Sequence, residues 1–162
     1  MESKTNAMRV LDKMKISYRQ HTYESSSAIS GKEVAEAVGK PYGMVFKTLV
    51  TVGKSKKNYV FVIPVCAELD LKKAAAVAGE KSIAMLPQKE LLPLTGYVHG
   101  GCSPIGMKKF FPTFLHGSAQ NQETILFSAG RIGCQVELSP ADLKKAISFT
   151  YADIITEEET AT

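Results

Sequence analysis

Cysteine is scarce in this chain of 162 residues. Cys66, Cys102 and Cys134 are odd in number and far apart, with no C-x-x-C pair, and no histidine stands at zinc-finger spacing. Neither a disulfide framework nor a structural zinc site is indicated. A reducing, cytoplasmic compartment is expected. Long apolar runs are missing too. The longest, Tyr59 to Ala67, is strand-sized and contains Pro64, well short of the roughly 18–20 residues that cross a bilayer. Met1 to Asn6 has no apolar stretch after its charges, so no secretory signal is expected. The chain also lacks the G-x-x-x-x-G-K-[ST] phosphate loop, H-E-x-x-H and any paired acidic motif for two metals. No metal and no cofactor are expected.

What remains is ordinary in bulk. Hydrophobic residues make up 44% and charged residues 22%, close to soluble globular averages, which rules out wholesale disorder. The length fits one domain able to bury about 70% of its unfolded surface. Residues 1–155 are expected to form that domain and 156–162 an acidic tail. The net charge of +4 is unevenly spread. Residues 1–60 carry 11 Lys/Arg against 5 Asp/Glu, whereas residues 121–162 carry 3 against 7. A basic front half permits a polyanionic partner such as nucleic acid, and equally an ordinary lysine-rich surface.

Apolar Ala7, Met8, Val10, Leu11 and Met14 recur at helical spacing, predicting an amphipathic helix over Lys4–Ile16. Ser17–Tyr23 alternates weakly as a strand, and Ser25-Ser26-Ser27 reads as a loop. Ser30 and Glu33 form a capping-box pattern before a helix over 31–38. Met44–Val52 and Asn58–Val65 are rich in β-branched and aromatic residues and predict an antiparallel hairpin with a basic loop, Gly53–Lys57. Asp70 caps a helix over Leu71–Ala78 that Gly79 ends. Ser82–Leu86 is a short strand and Pro87 opens a helical turn. Thr113–Leu115, Thr124–Phe127 and Gln135–Leu138 read as strands, and Ser139-Pro140 starts a last helix. Hairpin-length connections predict an α+β fold with a mixed, mainly antiparallel sheet and flanking helices.

Three segments could carry chemistry. Lys47 shares a strand face with Val45 and Leu49, while Phe46, Thr48 and Val50 occupy the other. An ammonium among apolar neighbours is costly unless it reaches water, an anion or a ligand. Lys47 is thus either a solvated lysine on an edge strand or a cation aimed into a pocket. The loop Gly100-Gly101-Cys102-Ser103-Pro104 brings backbone N–H groups close together, where they suit an oxyanion, although a plain structural turn has the same pattern. Phe127 to Gly133 reads as a glycine-bearing hairpin turn in which Ser128 and Arg131 could meet a ligand or stay solvated. Cys102 in its glycine loop suggests a nucleophile, but no sequence signature pairs it with His21, His99 or His116.

His21-Thr22-Tyr23, Val45-Phe46-Lys47-Thr48-Leu49 and Gly100 to Gly106 occur in that order. Together with the turn Ser128-Ala129-Gly130-Arg131-Ile132-Gly133, they make the chain resemble, over about residues 4–155, the YbaK/EbsC family of free-standing aminoacyl-tRNA deacylases. These are relatives of the editing insertion domain of bacterial prolyl-tRNA synthetases. The resemblance implies a barrel-like sheet with flanking helices and removal of a wrong amino acid from the 3′ end of tRNA. Cysteine on tRNA(Pro) is the implied substrate, with the substrate's own thiol attacking its ester. Alanine on tRNA(Pro), another mischarged tRNA, or a non-catalytic RNA- or nucleotide-binding module are the alternatives. Lys47, Gly100, Gly101 and Ser103 are implied in the chemistry. Tyr23, Phe46, Thr48, Pro104, Ser128 and Arg131 are implied in substrate binding, and Cys102 is a bystander. Prolyl-tRNA synthetase is a possible partner in selecting tRNA(Pro).

Overall fold

The computed structural model describes residues 4–24 and 30–157. The expected Ser25–Ser27 loop and the tail beyond residue 157 lie outside the described residues. Helix α1 spans Asn6–Lys13 and is capped by Thr5, whose hydroxyl accepts from the Met8 N–H. Its spacing puts Ala7, Met8 and Leu11 on the buried side. Strand β1 is Arg19–Thr22. Helix α2, Gly31–Val38, starts at the Ser30–Glu33 capping box and ends at Gly39 in the left-handed conformation. Strands β2 (Phe46–Gly53) and β3 (Asn58–Pro64) form the expected hairpin, with Phe46 opposite Pro64 and Val52 opposite Asn58. Helix α3 is Leu71–Ala78, with the Asp70 carboxylate accepting from the N–H groups of Lys72 and Lys73. Then come β4 (Ile83–Met85), α4 (Leu91–Thr95), β5 (Thr113–His116), β6 (Ile125–Arg131), β7 (Cys134–Leu138), α5 (Pro140–Ala146) and β8 (Thr150–Ala152).

Two sheets result. One has three strands in the order β1-β7-β6, and the other five in the order β4-β2-β3-β5-β8. Four of the six strand pairings are antiparallel; β3–β5 and β5–β8 are parallel. The fold is therefore α+β, mixed and mainly antiparallel. Its barrel-like character is partial: among the described residues the sheets meet at one bridge, Val45 to Leu126, instead of closing. The main core lies between them, where Met8 and Leu11 of α1 meet Phe46, Val50, Phe127 and Val136. A second cluster under α3 joins Phe61, Ile63, Ala74, Ile83 and Ile154. A third, with Ala35, Val45, Val65 and Leu126, packs α2 against the seam.

The seam shapes everything that follows. Strand β2 bridges β6 at the preceding residue, Val45, and pairs with β4 only over Thr51–Gly53. Among the described residues, the edge of β2 between these points has no strand beside it, and the sheets splay apart there. No helix among the described residues is long and apolar enough to cross a membrane.

Two features differ from the sequence reading. Residues 128–131 are not a turn: β6 runs through Arg131, with a register shift between Ser128 and Arg131 where Gly130 takes φ +111°. A bulge of this kind inserts residues without ending the strand. Strand β8 has no apolar alternation to announce it, and only its parallel pairing with β5 defines it. The basic loop Lys54–Lys57 lies at the far end of the hairpin from Lys47. At about 3.3 Å per residue the separation is roughly 20 Å, so the two do not share one small surface.

Candidate active site

The gap at the seam is a cavity of about 230 Å³. Five consecutive residues, Val45 to Leu49, line it. Residues on one strand face could not do this, because neighbours alternate. The cavity wraps around the unpaired edge of β2 and touches both faces. Tyr23, the N-terminal end of α2 (Ser30, Gly31, Val34), Val65, Leu91, the loop residues His99, Gly100 and Cys102, and the β6–β7 pair Ser128 and Gln135 complete the wall.

Lys47 is half-buried, and burial pulls its ammonium below the ordinary lysine range, with the charges of Glu68 and Cys66 opposing only in part. Among the described residues its ammonium makes no ion pair and no hydrogen bond. Lys47 thus stands on an open strand edge that borders the cavity.

Tyr23 is positioned by β1. Its N–H donates to the Gly133 carbonyl at 3.0 Å, continuing the β1–β7 ladder. A polar clamp holds β1 down: Glu137 accepts from the Thr124 hydroxyl at 2.5 Å, lies 2.7 Å from His21 Nε2 and 3.8 Å from Lys40 Nζ. Burial alone would raise the Glu137 carboxyl, but the Thr124 and His21 contacts outweigh it and hold it below the usual range.

Ser128 lies directly across from Gln135 in the β6–β7 register, so the two share a face. The Ser128 oxygen accepts from the Gly130 N–H at 3.0 Å, which leaves its O–H available to donate. Gln135 is the main residue that sequence reasoning missed. Its signal was present: Gln135 and Glu137 are polar on one face of a strand whose other face is Cys134, Val136 and Leu138. Among the described residues, the two buried side-chain polar atoms without a hydrogen-bond partner are Thr48 Oγ1 and Gln135 Oε1. Both residues line this cavity. Leaving such an atom unpaired costs about 1–3 kcal/mol.

The glycine loop divides into two parts. Gly100 lies at φ +89°, a conformation that glycine adopts without penalty, and it borders the cavity together with Cys102. Among the described residues their N–H groups have no acceptor. The Gly101 N–H donates to the Val98 carbonyl at 2.9 Å and is not available to a ligand. Gly101 instead lets the loop lie against the β6–β7 connection, where an added Cβ would sit 3.1 Å from Arg131 Cα and from the Ile132 nitrogen. Ser103 is fully buried, with its hydroxyl accepting from the Ile105 N–H at 3.3 Å. Ser103, Pro104 and Arg131 do not line the cavity; Arg131 stands behind the loop at the end of β6. Six of the ten site residues expected from sequence line the cavity: Tyr23, Phe46, Lys47, Thr48, Gly100 and Ser128. Cys102 is buried, and its thiol is pushed up to about 12 by burial, with a hydrogen bond to Thr95 opposing in part. It is therefore a neutral thiol at physiological pH, unsuited to attack.

Comparison with known proteins gives this geometry a family context. The model of the aminoacyl-tRNA editing domain family matches residues 26–146. A protein of Enterococcus faecalis (strain ATCC 700802 / V583), EbsC, described as a candidate Cys-tRNA(Pro)/Cys-tRNA(Cys) deacylase, is 46% identical over 158 residues, 97% of this chain and 96% of that one. An uncharacterized protein of Bacillus subtilis (strain 168), YwhH, is 28% identical over 82% of this chain and 83% of its own. Among solved structures, one described as a candidate trans-editing enzyme for prolyl-tRNA synthetase superposes with a TM-score of 0.84 at 25% identity. That match covers 96% of this chain and all of the other.

Proposed function

From the premise that this chain belongs to the family of aminoacyl-tRNA editing domains, we propose that it is a deacylase that removes cysteine from Cys-tRNA(Pro). The observation that carries this reading is the convergence of Tyr23, Lys47, Gly100 and Ser128 on one cavity from four separate stretches of chain. An aminoacyl ester is already activated, so the site need only hold it and stabilise negative charge on its carbonyl oxygen. The unengaged N–H groups of Gly100 and Cys102 are suited to that oxygen, and the Ser128 hydroxyl to a further hydrogen bond. The half-buried, unpaired Lys47 ammonium suits the terminal phosphate of the tRNA and fixes the ester against the loop.

With cysteine as the acyl group, no enzyme nucleophile is needed. The substrate thiol attacks the carbonyl carbon, a C–S bond forms as the ester C–O bond breaks, and the departing ribose oxygen takes up the proton lost by sulfur. The product is a cyclic thiolactone and free tRNA. One domain over residues 1–155 then supplies both capture and chemistry. Selection of tRNA(Pro) falls to an outside partner, for which prolyl-tRNA synthetase is the natural candidate.

Assay against Cys-, Ala-, Ser- and Pro-charged tRNA(Pro) tests the reading. Cysteine release is expected to be fastest. Cleavage of none of the four, with tRNA bound in a steeply salt-dependent way, would make the chain a binding module instead. Replacing cysteine by 2-aminobutyrate, which has a methyl group in place of the thiol, tests the route. That ester should survive, and turnover at the cysteine rate would mean that water is the nucleophile. Cys102→Ala should keep at least about half of the wild-type kcat/KM, because a thiol held up to about 12 is not the attacking group. A loss matching that of a Lys47 variant would restore Cys102 to the chemistry.

A further inference from the structure

We propose that Gln135 is the residue that recognises the α-ammonium of the aminoacyl group, through its unpartnered amide oxygen; this rests on the deacylase reading above. Three observations carry it. Gln135 is 5% exposed and lines the cavity directly across from Ser128, so it flanks the place where the ester would lie. Its Oε1 has no hydrogen-bond partner, and the one other orphaned side-chain atom among the described residues, Thr48 Oγ1, belongs to the same wall. An acceptor buried without a donor marks a place where a donor is missing. Among the described residues the cavity wall also contains no carboxylate: Lys47 is its cation, and the nearby Glu137 is already engaged by His21, Thr124 and Lys40. An ammonium entering beside Lys47 therefore meets neutral oxygens at the wall, with the Glu68 charge, which also acts on Lys47, lying outside it. A carboxylate at position 135 would instead draw the Lys47 ammonium toward itself. A neutral amide leaves Lys47 free for the tRNA and still accepts from the substrate's amine. The side chain is thus a specificity group for α-amino esters over esters that lack the amine.

The test compares tRNA(Pro) acylated with cysteine and with 3-mercaptopropionate, which keeps the thiol and the ester but has hydrogen in place of the ammonium. Single-turnover kcat/KM is measured for wild type, Gln135→Met and Gln135→Glu, with a thermal melt to verify folding. Wild type is expected to prefer the cysteinyl ester about tenfold to a hundredfold, the range for a hydrogen bond to a charged group. Gln135→Met, similar in size but with no oxygen, should lose that preference by slowing the cysteinyl ester alone. Gln135→Glu should retain it. A wild type indifferent to the amine overturns the proposal whether or not the variants fold, as does a Gln135→Met that slows both esters equally. If wild type cleaves neither ester, the deacylase reading is what fails. The same pair is then read as affinity for the two tRNAs, where tighter wild-type binding of the cysteinyl form, lost in Gln135→Met, supports the assignment and equal affinity overturns it.

Discussion

Lys47→Ala should lower kcat/KM for Cys-tRNA(Pro) by about a hundredfold, with the protein still folded. The loss corresponds to a hydrogen-bonded charge contact of about 1.5–3 kcal/mol, at about 1.4 kcal/mol per tenfold. The effect on stability should have the opposite sense. Among the described residues the half-buried Lys47 ammonium makes no ion pair, and burial lowers its pKa, with the Glu68 charge opposing only in part. A lysine whose folded pKa lies below its unfolded one binds fewer protons when folded. Stability therefore rises with pH through the folded pKa and levels off above the unfolded one. Removing the charge removes that penalty, so the melting temperature should stay level or increase. Activity should also fall as pH rises toward the lysine range, earlier than for an ordinary lysine, once spontaneous ester hydrolysis is subtracted. A variant that loses activity by unfolding would show the reverse pattern, a lowered melt, and full activity in Lys47→Ala would remove the cation from the mechanism.

The second large effect is expected at Gly101. An alanine there would place its Cβ 3.1 Å from Arg131 Cα and the Ile132 nitrogen. Those are backbone atoms of the β6–β7 connection and cannot rotate away. Relief must come from the loop, which carries Gly100 and Cys102 across the cavity wall. A displacement of about 1 Å at such a loop can cost on the order of a hundredfold in rate. Gly101→Ala is therefore expected to lower kcat by about 10- to 100-fold while costing only about 1–3 kcal/mol of stability, the usual penalty of overpacking. Gly79→Ala is the control. Gly79 caps α3 at φ +75° with nothing within 4 Å of an added Cβ. Its loss should lower the melting temperature and leave kcat unchanged. Equal kinetic losses at both glycines would mean that destabilisation alone explains the effect at Gly101.

Much of the site was legible because its residues carry unusual local chemistry. Lys47 stands out against Val45 and Leu49, and Gly100-Gly101 marks a loop that needs backbone freedom. Ser128 was named from its glycine-bearing turn, whereas Tyr23 was named only through family resemblance, since it breaks no local pattern. Ser103 and Arg131 illustrate the limit. Their side chains look chemically able, but a hydroxyl that turns inward to accept from Ile105 and a backbone that packs behind the glycine loop cannot be read from residue type. Gln135 was hidden for the converse reason. A polar residue on one face of a strand usually means solvent, and only the sheet laid over it makes that face a wall.

By itself the sequence determined the capped helices α2, α3 and α5, the apolar face of α1, the β2–β3 hairpin, the glycine loop and the family. Each of these rests on interactions among residues close in the chain, or on residue types that a backbone conformation demands. The tertiary structure alone decided that β2 leaves one edge unpaired between Val45 and Thr51, that the cavity opens there, and that Lys47 and Gln135 face it from different sheets. These depend on pairing between distant strands, such as β1 with β7 and β3 with β5. Such pairing is set by how the whole core fills space, and no local pattern encodes it.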